Sequence, residues 1–478
     1  MTTTQDIVQK LWKLCDILWG DGVTYHQYVN ELTYLLFLKM AEETEKEDQL
    51  PEAYHWKKLV EMDGVEQLTF YKKLLIDLGT QGSKLVQDIY ANASSFIQQP
   101  KNLRKLVDSL DELDWYSARE EGLGDLYEGL LEKNATESKR GAGQYFTPRR
   151  LIEVMVELMQ PQAGEVIQDP AAGTGGFLIN ADAYIRERTG NLYNLPESKQ
   201  NFQRRQAFQG MELVQDVHRL CLMNLMLHGI ETPIALGDTL GPQGASMPKA
   251  DVILTNPPFG TATGGGHTRR EDFTFPTNNR QLAFLQHVYR GLKPGGRAAV
   301  VLPDNVLFED NTGRKIRTDL MDKCNLHTIL RLPTGIFYAQ GVKTNVLFFQ
   351  RGETDKGNTK AVWVYDLRTN MPSFGKRTPL TRAHFSAFEQ AYGDDPNGGS
   401  ERVDQGEEGR FRCYSRDDIA KRADNLDITW LRDENADHAE DLPEPEELAG
   451  QIMENLRIAM QEIEELVGML GEGGELDG

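Results

Sequence analysis

The sequence predicts an α/β protein: a doubly wound, mainly parallel sheet, preceded by an N-terminal helical domain and followed by a C-terminal amphipathic helix. Three observations carry this. From about residue 150, helical and strand-like segments alternate, the pattern of a sheet wound on both faces. Before residue 135 apolar residues recur at helical spacing with no alternating strand signal. Near the end, apolar residues recur again at steps of three and four.

The N-terminal helices are read from Ile7, Leu11, Cys15 and Leu18, then from Tyr28, Leu32, Leu35 and Leu36 after the turn at Gly20-Asp21-Gly22. GAGQYFTPRR ends the helical pattern, and the boundaries are set at 1–138 for the helical domain and 139–440 for the core. Within the core, LIEVMVELM reads as helix, VIQDP as strand, FLINADAYIRER as helix and AFQGMEL as strand. VQDVHRLCLMNLMLHG follows as helix, IALGD and DVILTN as strands, QLAFLQHVYRGL as helix and GRAAVVLP as strand. Two further apolar runs, TNVLFFQ and AVWVYDL, precede a polar, Gly-rich stretch, DDPNGGSERVDQGEEG, that reads as a mobile loop. In the last part, 441–478, Leu448, Ile452, Leu456, Ala459, Ile463, Leu466 and Leu470 mark one amphipathic helix, which packs on its own domain or docks on another subunit; the tail GEGGELDG reads as disordered.

Composition narrows the function classes. With 478 residues, 39% hydrophobic and 26% charged, the chain has material for about three domains and a sizeable core. The N-terminus lacks a basic region followed by an apolar core, and no apolar run reaches the length of a membrane span, so a cytoplasmic location with no membrane partner is expected. Cys15, Cys221, Cys324 and Cys413 lie far apart without CxxC spacing, which indicates neither a disulfide framework nor a metal site. A formal net charge of −21 argues against gripping nucleic acid by the overall field. Local basic runs, Lys139-Arg140, Arg149-Arg150 and Arg269-Arg270, either touch phosphates beside a site or form solvated faces.

In such sheets ligands bind beyond the carboxyl ends of the strands, and the unusual loops of this chain fall there. QDPAAGTGGF places Gly173, Gly175 and Gly176 between a strand and a helix, where the backbone turns tightly and a ligand can approach without a Cβ in the way. The loop departs from GxGxxG and lacks Gly-Lys-Ser/Thr, so it is neither a nicotinamide-dinucleotide site nor a P-loop. At the end of the next strand stands Glu212, whose carboxylate can accept from both hydroxyls of a ribose. One strand later, Asp238 can accept from an adenine amino group. DVILTNPPFG follows: Pro257 and Pro258 cannot join a ladder, so the strand stops at Asn256.

The order GQYFTPR, DPAAGTGGF, NPPF resembles the amino-group DNA methyltransferases, and more narrowly the modification subunit of type I restriction-modification systems, across nearly the whole chain. The resemblance implies a Rossmann-like, S-adenosylmethionine-dependent core that methylates adenine N6. By it, Tyr145, Phe146, Thr147 and Pro148 match the segment over the methionine end of the cofactor. Asp169, Gly173, Thr174, Gly175 and Gly176 match the cofactor loop, Glu212 and Asp238 the ribose and adenine contacts, and Asn256, Pro257, Pro258 and Phe259 the catalytic tetrapeptide. The implied partners are double-stranded DNA, a DNA-reading specificity subunit, a restriction nuclease/translocase subunit and a second copy of the chain.

The tetrapeptide has a physical rationale. An exocyclic adenine amine is a poor nucleophile because its lone pair is delocalised, and acceptors for its N–H groups favour a more tetrahedral, electron-rich nitrogen. The Asn256 side-chain oxygen and the Pro257 carbonyl are such acceptors, stiffened by the prolines, and Phe259 offers a stacking face to a flipped base. Two other readings stand beside this one: methylation of a protein glutamine amide, whose nitrogen poses the same problem, and a non-catalytic assembly subunit with the same fold. No metal is required, and His267, alone in a Gly-rich loop, is given no role.

Overall fold

The computed structural model describes residues 4–19, 22–115, 123–137, 147–260, 270–337, 342–372, 374 and 378–432. The C-terminal amphipathic helix and tail expected within 441–478 lie outside the described residues. The chain divides into two compact units, one of residues 1–146 with 161–239, the other of 147–160 with 240–478.

In the first unit the helical reading of the N-terminus holds: Ile7, Leu11, Cys15, Leu18, Tyr28, Leu32, Leu35 and Leu36 are all buried. The central helix, Tyr25–Glu43, starts with a capping box in which the Thr24 side chain accepts from the Gln27 N–H. It buries a carboxylate, Glu31, that accepts from the Tyr71 hydroxyl at 2.8 Å and from the Phe96 N–H. Burial pushes that carboxyl's pKa up. The helix Gln215–Leu227 is stitched to this region by Arg219, which donates to the carbonyls of Ile89 at 2.6 Å and Ala91 at 3.0 Å. Its guanidinium also lies 4.9 Å over the Tyr34 ring.

Three parallel strands complete the first unit: β1 (Ile167–Asp169), β2 (Phe208–Glu212) and β3 (Ala235–Leu236), with β2 in the middle. Gly176–Arg188 is the helix after β1, and Gln215–Leu227 the helix after β2. Both were expected from the sequence.

The second unit holds β4 (Ala250–Thr255), β5 (Leu292–Pro303), β6 (Cys324–Arg331), β7 (Thr344–Arg351), β8 (Ala361–Asp366) and β9 (Phe411–Ser415). Their order is β4–β5–β7–β6–β8–β9. β4–β5 and β6–β8 are parallel, whereas β7 runs antiparallel to both β5 and β6, and β9 antiparallel to β8. The sheet is therefore mixed rather than parallel throughout. The reason is local: none of the described residues between β6 and β7 is helical, and only a parallel return requires a crossover connection. Helix Arg149–Met159 is fastened to β5 by Arg297, which donates to the carbonyls of Met159 at 2.7 Å and Gln160 at 2.9 Å.

The polar stretch 394–409 is irregular, as its composition suggests, yet it is tied down. Arg402 donates to the Tyr392 carbonyl at 3.0 Å and the Thr328 hydroxyl at 2.9 Å, and stacks 4.7 Å over the Tyr392 ring. None of the described helices is long and apolar enough to cross a membrane.

Candidate active site

The first unit brings the Gly-rich loop and Glu212 together. β1 ends at Asp169, buried, whose Oδ1 accepts from the Ala171 N–H at 3.1 Å and opens the turn. The turn closes with the Gly175 N–H donating to the Ala172 carbonyl at 2.8 Å. Gly173 and Gly175 adopt φ of +54° and +84°, the left-handed region that a Cβ disfavours. At Gly175 an added Cβ would also meet Cys221 Sγ at 3.2 Å. Helix Gly176–Arg188 starts directly afterwards, and Asn224 Nδ2 props the loop by donating to the Thr174 carbonyl at 2.9 Å.

Glu212 ends β2 with only 7% of its surface exposed. One carboxylate oxygen accepts from the Gly173 N–H at 2.9 Å and the other from the Val214 N–H at 2.8 Å. Burial pushes the Glu212 pKa up, and these backbone donors only partly offset it. Each oxygen keeps a lone pair for a further donor, which suits a vicinal diol. β3 carries Asp238 just beyond its end; the side chain is exposed, and the neighbouring Thr239 hydroxyl donates to the Pro170 carbonyl at 2.6 Å, tying this loop to the Gly-rich one. Leu213 and Leu236, which sequence reasoning passed over, are apolar yet 63% and 43% exposed beside these acids. An apolar residue after a strand-end acid was a legible signal; its exposure was not.

In the second unit β4 runs into the prolines as expected. Thr255 is fully buried, Pro257 is buried, and Asn256, Pro258 and Phe259 are half-buried. Asn256 Nδ2 donates to the Thr147 hydroxyl at 3.0 Å, while its buried Oδ1 accepts no hydrogen bond among the described residues. Phe259 meets Phe337 edge to face, with centroids 6.2 Å apart and planes at 73°. Phe337, from the RLPTGIF segment, was not singled out as a site residue. Asp304, just after β5, receives both guanidinium arms of Arg368 at 2.7 and 2.9 Å and the Asn345 amide at 2.8 Å. Burial alone would raise its pKa, but Arg368 and Asn345 hold it below the usual aspartate range.

Several other expectations also meet the structure. Thr147 and Pro148 stand immediately before helix Arg149–Met159, Pro148 as its N-cap; Tyr145, Phe146 and His267 lie outside the described residues. Arg270, read as a phosphate contact or a solvated residue, is neither: it is 7% exposed and engages Asp272 at 2.6 and 2.8 Å and His287 at 3.0 Å. Burial beside that cation drives the His287 pKa down to about 3, so the ring is neutral. Asp125, Glu128 and His228 place donor atoms within 4.8 Å of one another, but both carboxylates have interactions of their own and His228 Nδ1 is held by the Asn224 carbonyl at 2.8 Å.

The first unit carries a Gly-rich turn after β1 and a buried acid ending β2, and the second a proline-stiffened amide ending β4; these are the features by which the sequence resembles the Rossmann-like amino-group methyltransferases. Comparison with known proteins gives the family. The model described as N-6 DNA Methylase matches residues 118–439, and that described as HsdM N-terminal domain matches 7–110. The chain is 52% identical to the type I restriction enzyme StySPI methylase subunit of Salmonella potsdam, over 99% of this chain and 96% of that one. Among solved structures it is similar to the type I restriction enzyme EcoKI M protein, with 48% identity, coverage of 98% and 96% and a TM-score of 0.59. It is also similar to a chain solved in work on complex assembly and conformational transition of the type I R-M system, with 26% identity, full coverage of both chains and a TM-score of 0.73.

This chain belongs to the N-6 DNA methylase family, among the methylase subunits of type I restriction-modification systems. It is an adenine-specific DNA methyltransferase whose methyl donor is S-adenosylmethionine, and it works within a restriction-modification complex on DNA. The comparisons support this reading and not the glutamine-amide or non-catalytic alternatives.

Proposed function

We propose that Asn256 is the centre of the methylation site and that its unpartnered Oδ1 is the acceptor for the target adenine's exocyclic amine. The single observation that carries this is the division of labour in its amide: Nδ2 is committed to Thr147 while the buried Oδ1 has no donor among the described residues. A buried acceptor without a partner is costly unless a ligand supplies one. The adenine amine has two N–H groups, one for Asn256 Oδ1 and one for the Pro257 carbonyl. Holding both concentrates the lone pair on nitrogen, and the surplus proton after methyl transfer passes from that nitrogen to solvent water. Phe259, braced edge-on by Phe337, is the stacking face for a base rotated out of the duplex.

S-adenosylmethionine supplies the methyl already activated as a sulfonium, so no covalent enzyme intermediate is required. The residues of the first unit fit its nucleoside part. Glu212 offers its two remaining lone pairs to the ribose hydroxyls, Asp238 accepts from the adenine amino group, and exposed Leu213 and Leu236 supply apolar faces for the purine. Asp169, Gly173, Thr174, Gly175 and Gly176 form the turn that lets the backbone approach. Tyr145, Phe146, Thr147 and Pro148 are assigned to the methionine end by family resemblance.

We assign the finer partners and the part-wise division the same way. The helical region 1–138 and the C-terminal segment 441–478 are the assembly parts flanking a catalytic domain, 139–440, in the cytoplasm. They meet a DNA-reading specificity subunit, a second copy of this chain and a nuclease/translocase subunit. A net charge of −21 supports the need for a partner that grips DNA. The test is N6-methyladenine sequencing of DNA from cells making this chain with its neighbouring specificity subunit, the chain alone, and an Asn256→Ala form. Methylation at one bipartite motif requiring both the partner and Asn256 is the expected result; undiminished methylation by Asn256→Ala sinks the assignment.

A further inference from the structure

A Gly-rich turn has a weakness that its own glycines create. A peptide plane beside a glycine turns over readily, and a turned plane exchanges an N–H for a C=O on the face it offers. A turn left free to do so has to be ordered when its ligand arrives, which lowers affinity. The turn after β1 has glycines in the left-handed region at 173 and 175, so something must hold its peptide planes.

Each end of the turn is held by a side chain from another connection of the first unit. At the far end, the Thr174–Gly175 peptide is fixed at both polar groups. Its N–H donates to the Ala172 carbonyl at 2.8 Å, and its C=O accepts from Asn224 Nδ2 at 2.9 Å. At the near end, the Pro170–Ala171 peptide is fixed in the same way. Its N–H donates to Asp169 Oδ1 at 3.1 Å, and its C=O accepts from the Thr239 hydroxyl at 2.6 Å. A carbonyl oxygen can only accept, so Asn224 must offer its amide nitrogen and Thr239 its O–H.

Asn224 is the more telling of the two. It is 1% exposed, it lies within residues 220–225 of helix Gln215–Leu227, otherwise apolar, and its buried Oδ1 accepts no hydrogen bond among the described residues. An orphaned buried acceptor costs at least as much as one neutral hydrogen bond returns, so an apolar residue of similar size would serve folding as well. Folding alone does not call for an amide here; a fixed Thr174 carbonyl does. The helix is a firm mount, because Arg219 fastens it to the carbonyls of Ile89 and Ala91 while Cys221 and Leu225 lie against Gly175. Thr239 is 4% exposed and directly follows Asp238, so its bond also fixes where the loop after β3 stands.

We propose that Asn224 and Thr239 are positioning residues for S-adenosylmethionine. Their side chains act through the two carbonyls they hold, and lock the peptide planes at both ends of the turn in the form that the cofactor meets. The inference rests on the reading of this turn and Glu212 as the cofactor site.

The experiment compares Asn224→Leu, Thr239→Val, Thr239→Ser and Glu212→Gln in the complex assembled with the specificity subunit. It measures Kd for S-adenosylmethionine by calorimetry, kcat at saturating cofactor and KM for DNA, with the urea midpoint of each full chain. Asn224→Leu and Thr239→Val remove the donor and keep most of the volume; each should weaken cofactor binding by about 10-fold, the weight of one neutral hydrogen bond. Their kcat and KM for DNA should stay within about twofold, because what is lost is binding of the cofactor alone. The urea midpoint of Asn224→Leu should not fall, since the orphaned acceptor leaves together with the donor. Thr239→Ser should restore most of the affinity.

A wild-type Kd in Asn224→Leu or in Thr239→Val would overturn the inference for that residue. So would an affinity loss in Asn224→Leu that is matched by a fall in the urea midpoint, or equal losses in Thr239→Val and Thr239→Ser, since either means packing alone. If Asn224→Leu does not fold, Asn224→Ala removes the same donor without adding bulk, and its Kd decides. An unchanged cofactor Kd in Glu212→Gln would instead sink the underlying site reading, whatever Asn224 and Thr239 do.

Discussion

Glu212 shows what a residue must tolerate to act as a ligand at a sheet edge. Its burial disfavours the charged form, while the backbone N–H groups of Val214, Gly173 and Leu213 recover only part of the lost hydration. A carboxyl whose pKa is raised stays protonated to a higher pH than an ordinary glutamate, whose value is 4.5. The ionised form, with lone pairs for both ribose hydroxyls, therefore disappears earlier on acidification. Affinity for S-adenosylmethionine should fall as pH drops through that raised pKa, a limb visible in calorimetric Kd against pH. Glu212→Gln should abolish the limb and weaken binding at neutral pH by about 10- to 150-fold, the equivalent of roughly 1.5–3 kcal/mol for hydrogen bonds to a charged group. A flat wild-type profile down to the ordinary glutamate range would contradict this. Residue chemistry of this kind was legible in part: Glu212 and Asn256 were found because an acid and an amide sat at strand ends. The partners were not, since Gly173 and Thr147 reach them across 39 and 109 positions of sequence.

At the scale of elements, the turn after β1 and the end of β5 make two separable predictions. Gly175 combines φ of +84° with Cys221 Sγ lying 3.2 Å from any added Cβ. Gly175→Ala should therefore destabilise the protein by about 1–2 kcal/mol from backbone strain alone. Urea titration reads this directly, and an unchanged midpoint would mean that the turn relaxes. Beyond β5, the Asp304–Arg368 pair has side chains 16% and 10% exposed, so removing one partner leaves the other's charge buried. Arg368→Ala should cost about 3–5 kcal/mol near neutral pH. Because the Asp304 pKa is depressed, its stabilising contribution is complete above the unfolded aspartate value of 3.8 and is lost as pH falls through the lower folded value. Wild type and variant should consequently converge in acid. The elements themselves were mostly readable, since Ile7, Leu11, Val252 and Val300 follow helix and strand periods and are buried. β7 was readable as a strand but not as antiparallel, because direction depends on the connection and the pairing partner.

For the whole molecule, the acidic balance and the terminal segments bear on assembly. With a net charge of −21, binding of DNA by the chain alone should be weak at physiological salt and should strengthen when the specificity subunit is added. Fluorescence anisotropy with labelled duplex, at two salt concentrations, measures both; tight, sequence-specific binding by the chain alone would overturn the partner assignment. Deleting 441–478 should leave S-adenosylmethionine binding intact while reducing co-purification with the specificity subunit. If the truncated chain assembles normally, that segment serves its own domain.

The sequence by itself determined the alternation of helix and strand, the positions of the strand-end loops and the residues that carry their chemistry. These depend on local periodicity and on what glycine and proline allow the backbone to do. Only the tertiary structure decided that Arg270 is a buried partner of His287 instead of a phosphate contact, and that Thr147 bonds to Asn256. It alone decided that Arg402 pins the polar stretch 394–409. Burial and long-range hydrogen bonding are properties of what packs beside a residue, and the neighbours in space are set by the pairing of strands, not by the neighbours in sequence.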